Sequence, residues 1–311
     1  MNIQQVEYVI AVGELKSFGQ AAEKCHITQS TLSTMVGRFE EEIGVTIFDR
    51  KTKPISITQE GHEIIRQLRI ISREIDTLQE VVQSLKGELA GSLSIGVIPT
   101  VAPYLLPLFV QDLVQHLPKV KVVISEMTTE KIIGKLLTRE LDIGILSTPI
   151  NHPDLVETEL YEEPFYLYDQ AGGLHEGTYA VGEIDLARLW LLEEGHCMRT
   201  QAVKICDLSK QKLPEANLEY RSGTIDTLMK FVRRNRGTTL LPYLATLDLP
   251  EGERNYIRPF QAPVPARTIG LITHRHFVKR VMLDRLRQEI MNHVGPLIAE
   301  LPSEREVIEP I

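Results

Sequence analysis

Apolar residues recur along this chain with two different periods, and each period predicts a different kind of element. Between residues 59 and 89, Ile64, Leu68, Ile71, Ile75, Leu78, Val82 and Leu85 fall at alternating spacings of four and three. That spacing puts them in one stripe on a helix, with largely charged and polar positions between. A stripe kept over three heptads predicts a helix that dimerises rather than one laid on its own domain. Gly87 and Gly91 close it like a linker. Upstream, in SFGQAAEKCHITQSTLSTMVGRFEEEIGVTIFDR, the positions Ala21, Ala22, Cys25, Ile27, Leu32, Met35, Val36 and Phe39 form the inner face of two short helices joined at His26 and Ile27. RKTKPISIT follows as a short basic hairpin. Together they predict a winged helix-turn-helix over residues 1–58, and the stripe a linker helix over residues 59–89.

From residue 90 the apolar runs shorten and become continuous: LSIGVI, KVKVVIS, LDIGIL, PFYLYD, LWLLE, LEYRS, TTLLP and TIGLIT, alternating with helical segments. Strands without in-out alternation are covered on both faces, which predicts a two-lobed α/β domain over residues 90–300 with mostly parallel sheets. The last segment, residues 301–311, is charged and unpatterned, and is expected to fray.

Composition narrows the function classes. The 311 residues are 43% hydrophobic and 24% charged, ordinary for a soluble protein. The N-terminus lacks a basic stretch followed by an apolar core, and no later run approaches eighteen apolar residues, so a cytoplasmic protein with no membrane partner is expected. Three cysteines without a CxxC pair or metal-ligand spacing argue against a disulfide scaffold and a zinc site, and no metal or cofactor is expected. The net charge of −8, and ten Lys and Arg against twelve Asp and Glu in residues 1–86, conceal any affinity for nucleic acid. Individual residues reveal it. Thr28 is a candidate N-cap, and Gln29, Ser30, Thr31, Ser33 and Thr34 are short polar side chains able to reach base edges or phosphates from a helix in the major groove. Arg50, Lys51 and Lys53 are candidate phosphate contacts from the wing.

The stretch EEGHCMRTQAVKIC places Cys197 and Cys206 nine residues apart. In a helix that separation rises about 13.5 Å and turns the side chains to opposite faces, whereas a disulfide needs Cα atoms within roughly 7 Å. The pair is either two unrelated buried thiols or a bond that forms only when the local structure is dismantled. Gly195 and His196 followed by the helix-forming run MRTQAVK put Cys197 in a first helical turn, where a thiolate is favoured.

The run AAEKC…TQSTLS…FEEEIG…IFDR, with TQEG at 58–61, resembles the N-terminal domain of LysR-type transcriptional regulators; Cys25 and Phe39 stand where leucines are usual, and Thr28 and Ser30 where Ser and Pro are usual. The resemblance implies a winged helix-turn-helix, a dimerising linker helix and an effector domain resembling periplasmic binding proteins. GVIPTVAPYLLP at 96–107, EEGHCMRTQAVKIC at 193–206 and ARTIGL at 266–271 are similar to the peroxide-sensing members of that family. This likeness implies that Cys197 is the peroxidatic thiol and Cys206 the resolving one, switched by a reversible disulfide, with Thr100, Thr129, His196 and Arg267 around the peroxide. The implied partners are double-stranded DNA, hydrogen peroxide, further copies of the chain in a dimer or tetramer, RNA polymerase, and a thiol reductant such as glutaredoxin or thioredoxin. The implied function is that of a transcriptional activator in oxidative stress, not an enzyme. The stretch VRRNRGTTLLP departs from the small, Gly- and Ala-rich pattern usual there. Two other readings stay open: a regulator of the same family answering to a small organic ligand with silent cysteines, and a cysteine enzyme using Cys197 and His196, which leaves the first 90 residues unexplained.

Overall fold

Asn2 opens the first helix, α1 (Ile3–Leu15), with a capping box in which its side chain accepts from Gln5 N and the Gln5 side chain accepts from Asn2 N. The Ser17 and Thr28 side chains cap α2 (Phe18–Lys24) and α3 (Gln29–Ile43) by accepting from Gln20 N and Thr31 N, and Gly44, at φ 69°, ends α3 in the left-handed conformation. A two-stranded wing, β1 (Phe48–Asp49) and β2 (Ser56–Ile57), precedes the long α4 (Gln59–Leu85). The computed structural model describes residues 1–85, 89–172, 177–193, 196–206 and 222–310, without the side chains of residues 76, 79–81 and 83–85. It divides into two units, residues 1–88 and 89–311.

In the first unit Val9, Val12, Ala21, Leu32, Val36, Phe39 and Phe48 form the core. Cys25 is half-buried at the C-terminal cap of α2, packed against that core beside Ile27 and Met35. Gly61 lets α4 start close to the wing, because a Cβ there would lie 2.4 Å from the Ile47 carbonyl oxygen. The apolar stripe of α4 then divides. Leu68 is 3% exposed and belongs to the core of its own unit, and Ile64 packs against that core. Ile71 is exposed, Ile75 half-buried, and Leu78 and Val82 are 63% and 44% exposed. Leu85 lies outside the described side chains.

The second unit carries β3 (Gly91–Val97), α5 (Ala102–His116), β4 (Val120–Glu126), α6 (Thr129–Leu137), β5 (Ile143–Thr148) and β6 (Leu155–Asp169). It continues with α7 (Cys197–Ile205), α8 (Ile225–Asn235), β7 (Thr238–Pro242), α9 (Tyr243–Leu247), α10 (Glu251–Arg254), β8 (Ile257–Pro259), β9 (Val264–His274), α11 (Arg280–Ile298) and β10 (Arg305–Val307). The strand order is β4-β3-β5-β9-β6-β7, with β8 on β6 and β10 on β9. The sheet is mixed, not mostly parallel: β3 pairs in parallel with β4 and β5, and β10 with β9, whereas β9 is antiparallel to β5 and β6, and β6 to β7 and β8. Continuous apolar runs report cover on both faces and carry no information on strand direction, which is why they misled. One core gathers Ile95, Phe109, Ile132, Ile145 and Leu286; another gathers Phe165, Leu167, Leu228, Val232 and Leu241. The long strands β6 and β9 form one continuous pairing, and β6 goes on to pair with β7 and β8.

Two local expectations fail. LWLLE forms only isolated bridges, Leu189 to Thr238 and Leu192 to Ser222; LEYRS lies mostly outside the described residues. The C-terminal segment does not fray. β10 aligns with Val264–Ala266 of β9, and Ile308 N donates to Ala266 O at 2.8 Å. Pairing at a strand edge uses backbone groups and asks little of side-chain composition, so a charged sequence concealed it. Among the described residues no helix is long and apolar enough to cross a membrane.

The division of the α4 stripe yields a contrast. Leu68→Ala should cost about 2–5 kcal/mol in the first unit, as truncation of a buried leucine does. Lys at both Leu78 and Val82 should leave the unfolding transition in place while lowering the mass measured by light scattering. An unchanged mass in that double variant would show that the exposed half of the stripe joins no second chain.

Candidate functional site

His196 is the N-cap of α7 and Cys197 its first residue, so the Cys197 sulfur lies against the helix N-terminus, where the Cys197 and Met198 N–H groups favour its thiolate. The Arg267 guanidinium and the Thr129 hydroxyl favour the thiolate too, yet burial outweighs them and pushes the Cys197 thiol above its ordinary pKa. Both Cys197 and Cys206 are free and 6% exposed. They sit in different cores: Cys197 in the core with Phe109 and Ile145, Cys206 in the core with Phe165 and Leu228. Cys206 caps the other end of α7, and burial alone pushes its thiol up to about 12. The helix between them is intact, so in this conformation they are kept apart by about 13.5 Å of helical rise.

Opposite Cys197 the carboxyl ends of the first core's strands supply polar groups. Thr100 follows β3, and Thr129, the first residue of α6 with Thr128 as its N-cap, follows β4. Thr129 is buried, and its hydroxyl, which bonds no other group among the described residues, is left for the Cys197 sulfur. Arg267, on β9, is 1% exposed. Its Nη1 donates to Thr100 Oγ1 at 3.0 Å, its Nη2 to Thr100 O at 3.1 Å, and its Nε to Glu163 Oε2 at 2.9 Å. Glu163 is also 1% exposed, and its second oxygen accepts from Leu244 N at 2.8 Å. The geometry therefore brings Cys197, Thr129, Thr100 and Arg267 into one buried cluster. His196 is buried beside them with its Nε2 turned toward Glu193, 3.6 Å away. Donors of this kind around a nucleophilic sulfur are suited to a small molecule that develops negative charge as it reacts.

A second set of contacts holds α7. Gln201, one turn beyond Cys197 and fully buried, donates to Ser147 Oγ at 3.2 Å on β5 and to Ile308 O at 2.7 Å in the C-terminal segment. Lys204 donates to Glu309 O at 3.2 Å. Glu163, Gln201, Ser147 and this segment were all missed by sequence reasoning. Glu163 had a faint signal as a carboxylate inside the apolar run YEEPFYLYD, but Glu162 carried the same one. Gln201 had none, because a lone Gln on a helix is usually solvated.

In the first unit Gln29, Ser30, Thr31 and Thr34 are exposed along the start of α3, and Ser33 is half-buried. Thr28 caps the helix, accepting from Thr31 N at 3.2 Å. Lys51 and Lys53 are exposed on the wing. Arg50, with its side chain 44% exposed, lies 2.9 Å from Glu40, donates to Ser33 Oγ at 3.3 Å, and covers the Phe18 ring.

Comparison with known proteins places this geometry. Residues 3–62 match the model of the bacterial regulatory helix-turn-helix proteins of the lysR family, and residues 86–294 match the LysR substrate binding domain. The chain is similar to a hydrogen peroxide-inducible genes activator of Haemophilus influenzae, at 30% identity over 96% of this chain and 99% of that one. It is 33% identical to the DNA-binding transcriptional dual regulator OxyR of Escherichia coli K12 over 88% and 89%. Its fold superposes on a full-length OxyR variant from Pseudomonas aeruginosa with a TM-score of 0.73 at 30% identity, covering 93% of this chain and 97% of that one.

The hold on α7 can be tested by removing residues 305–311. Backbone amide exchange followed by mass spectrometry should then quicken across residues 197–206 and stay unchanged in α5 and α11. Unaltered exchange in α7 would show that the helix does not lean on the C-terminal segment.

Proposed function

This chain belongs to the LysR family of DNA-binding transcriptional regulators, and we propose that it is a hydrogen peroxide-responsive activator switched by a reversible bond between Cys197 and Cys206. The observation that carries this reading is a free thiol at a helix N-terminus, buried with a guanidinium and two threonine hydroxyls, whose nearest candidate partner thiol caps the other end of the same helix. The names of its relatives point the same way.

The chemistry follows from the groups present. The Cys197 thiolate attacks one peroxide oxygen, an S–O bond forms as the O–O bond breaks, and hydroxide departs to take up a proton. Arg267 and the Thr100 and Thr129 hydroxyls hold the peroxide and stabilise the departing charge, with His196 completing the wall. Cys206 then displaces water from the sulfenic acid, forming the disulfide. That second step requires α7 to unwind. A thiol reductant such as glutaredoxin or thioredoxin returns both sulfurs to thiols. On DNA, α3 offers Gln29, Ser30, Thr31, Ser33 and Thr34 to the major groove, while Lys51 and Lys53 meet phosphates; dimers or tetramers present two or more such helices to inverted half-sites, where the switched form engages RNA polymerase.

Peptide mapping after brief peroxide exposure should find Cys197 joined to Cys206 with Cys25 still reduced. Cys197→Ser should abolish induction of the target genes, and Cys206→Ser should accumulate a sulfenic acid on Cys197. A Cys197 that stays a thiol under peroxide, with induction by a small organic molecule instead, would overturn the reading.

For the DNA contacts, Lys51→Ala should weaken binding to every duplex and reduce the slope of log K against log salt by about 0.9, the share of one phosphate. Ser30→Ala and Gln29→Ala should change sequence preference at an unchanged slope. Fluorescence anisotropy titrations at several salt concentrations measure both, and identical slopes and preferences in all three variants would remove α3 and the wing from the interface.

A further inference from the structure

The register of two strands decides which carboxylate meets Arg267. Along β6 and β9 the pairing shifts between Glu159 and Tyr161: Glu159 faces Gly270 and Tyr161 faces Ile269, leaving Leu160 as the extra residue of a bulge. Beyond it Glu163 faces Arg267, and Glu162 faces Thr268 with its side chain 46% exposed. An unbulged ladder would have set Glu162 opposite Arg267 instead.

The donors of Arg267 can be counted. A guanidinium has five N–H groups. Nε goes to Glu163, Nη2 lies against both Glu163 at 2.8 Å and the Thr100 carbonyl, and one Nη1 hydrogen goes to the Thr100 hydroxyl. The second Nη1 hydrogen has no acceptor among the described residues. Two anchors on one carboxylate hold the plane of the fork, so that last donor has a fixed direction. The other titratable groups that interact with the pair are Cys197, Tyr161 and Tyr104. Burial pushes both phenols up, so they remain neutral, and the buried charge that answers Arg267 is Glu163.

We propose that Glu163 is a positioning residue that sets both the aim and the ligand charge of this site: it directs the remaining Arg267 donor toward the oxidant, and it cancels the guanidinium charge so that the pocket accepts a neutral peroxide and refuses small anions. An unanswered guanidinium inside the protein would draw an anion as its counter-charge. Hydrogen peroxide is uncharged, and the negative charge of its reaction appears only as the O–O bond breaks. A neutral pocket with one aimed donor therefore favours the reacting state without trapping chloride or phosphate beforehand. This inference rests on the peroxide reading above.

The test uses the reduced full-length chain in a Cys206→Ser background, with Glu163→Gln and Glu163→Asp compared with the parent. Three quantities are read: the second-order rate of Cys197 oxidation by peroxide across pH, the slowing of that rate by sodium azide at ionic strength held with a bulky anion, and the midpoint of thiolate absorbance. The parent should be insensitive to azide. Glu163→Gln should react about 10- to 100-fold more slowly, become saturably inhibited by azide, and titrate Cys197 at lower pH, since the Arg267 charge is then uncompensated. Glu163→Asp keeps the charge but withdraws it by one methylene, so it should slow the reaction while keeping the parent's midpoint and azide insensitivity. A folded Glu163→Gln with parental rate, midpoint and azide response overturns the proposal. Should that variant fail to fold, a parental rate in Glu163→Asp does the same. If the parent's Cys197 ignores peroxide, the peroxide reading falls, and azide binding and the thiolate midpoint still decide whether Glu163 sets the charge of the site.

Discussion

A single short helix keeps apart the two sulfurs whose joining is proposed as the signal. The α7 backbone imposes about 13.5 Å of rise between them, and their burial in different hydrophobic cores adds a second barrier. Joining them withdraws at least part of the face that Met198, Ala202 and Ile205 bury. Exposing Met198 and Ile205 alone forfeits about 3–6 kcal/mol, at about 1.5–3 kcal/mol for each side chain. A crosslink closing a loop of about ten residues restricts the unfolded chain by only about 2.7 kcal/mol. The oxidised form is thus held against the packing of the reduced one, and each 1.4 kcal/mol of that opposition raises the reduction potential by about 30 mV. A bond opposed in this way is readily reset by cellular thiols.

Burial of Cys197 belongs to the same balance. Its raised pKa lowers the thiolate fraction in the resting state, although Arg267, Thr129 and the helix N-terminus all pull the other way. The reacting anion therefore forms where the groups that stabilise it are already in place, and bulk oxidants are kept from the sulfur by the surrounding core. Cys206, with its thiol pushed up to about 12 by burial alone, has no cation or donor acting on it among the described residues. The two thiols differ in environment more than in chemistry.

How much of this was legible depended on whether the determining contact was local. The cap Thr28, the wing and the helical stripe of α4 follow from neighbours in sequence, and so does the position of Cys197 in a first turn. Glu163 was not legible, because only a bulge at Leu160 distinguishes it from Glu162, and a bulge is settled by cross-strand packing. The direction of β6, β7 and β9 was hidden for a related reason: strands buried on both faces read alike whether parallel or antiparallel. The C-terminal strand was hidden because its pairing with β9 is through backbone groups, with Ile308 packed against the second core. Ile64 and Leu68 show the converse failure, in which a regular heptad pattern serves internal packing for its first part.

The placement of the two sides of the site explains which of them is able to move. Arg267 and Glu163 lie opposite each other on β9 and β6, strands paired over nine positions and continued by further pairing on both flanks. Rearranging them would break many ladder hydrogen bonds at once. Cys197 lies instead on nine residues of helix, held by side-chain bonds from Gln201 and Lys204 to Ser147 and to the carbonyls of Ile308 and Glu309. Side-chain bonds of this kind open more locally than a ladder of paired strands. The proposed oxidation would thus act on an asymmetric pair of walls. The charged wall stays fixed and keeps its donor aimed, while the thiol wall is the element with a second arrangement open to it. A two-state response needs this division, since a site whose binding groups moved with its switch would lose the peroxide before the second thiol arrived.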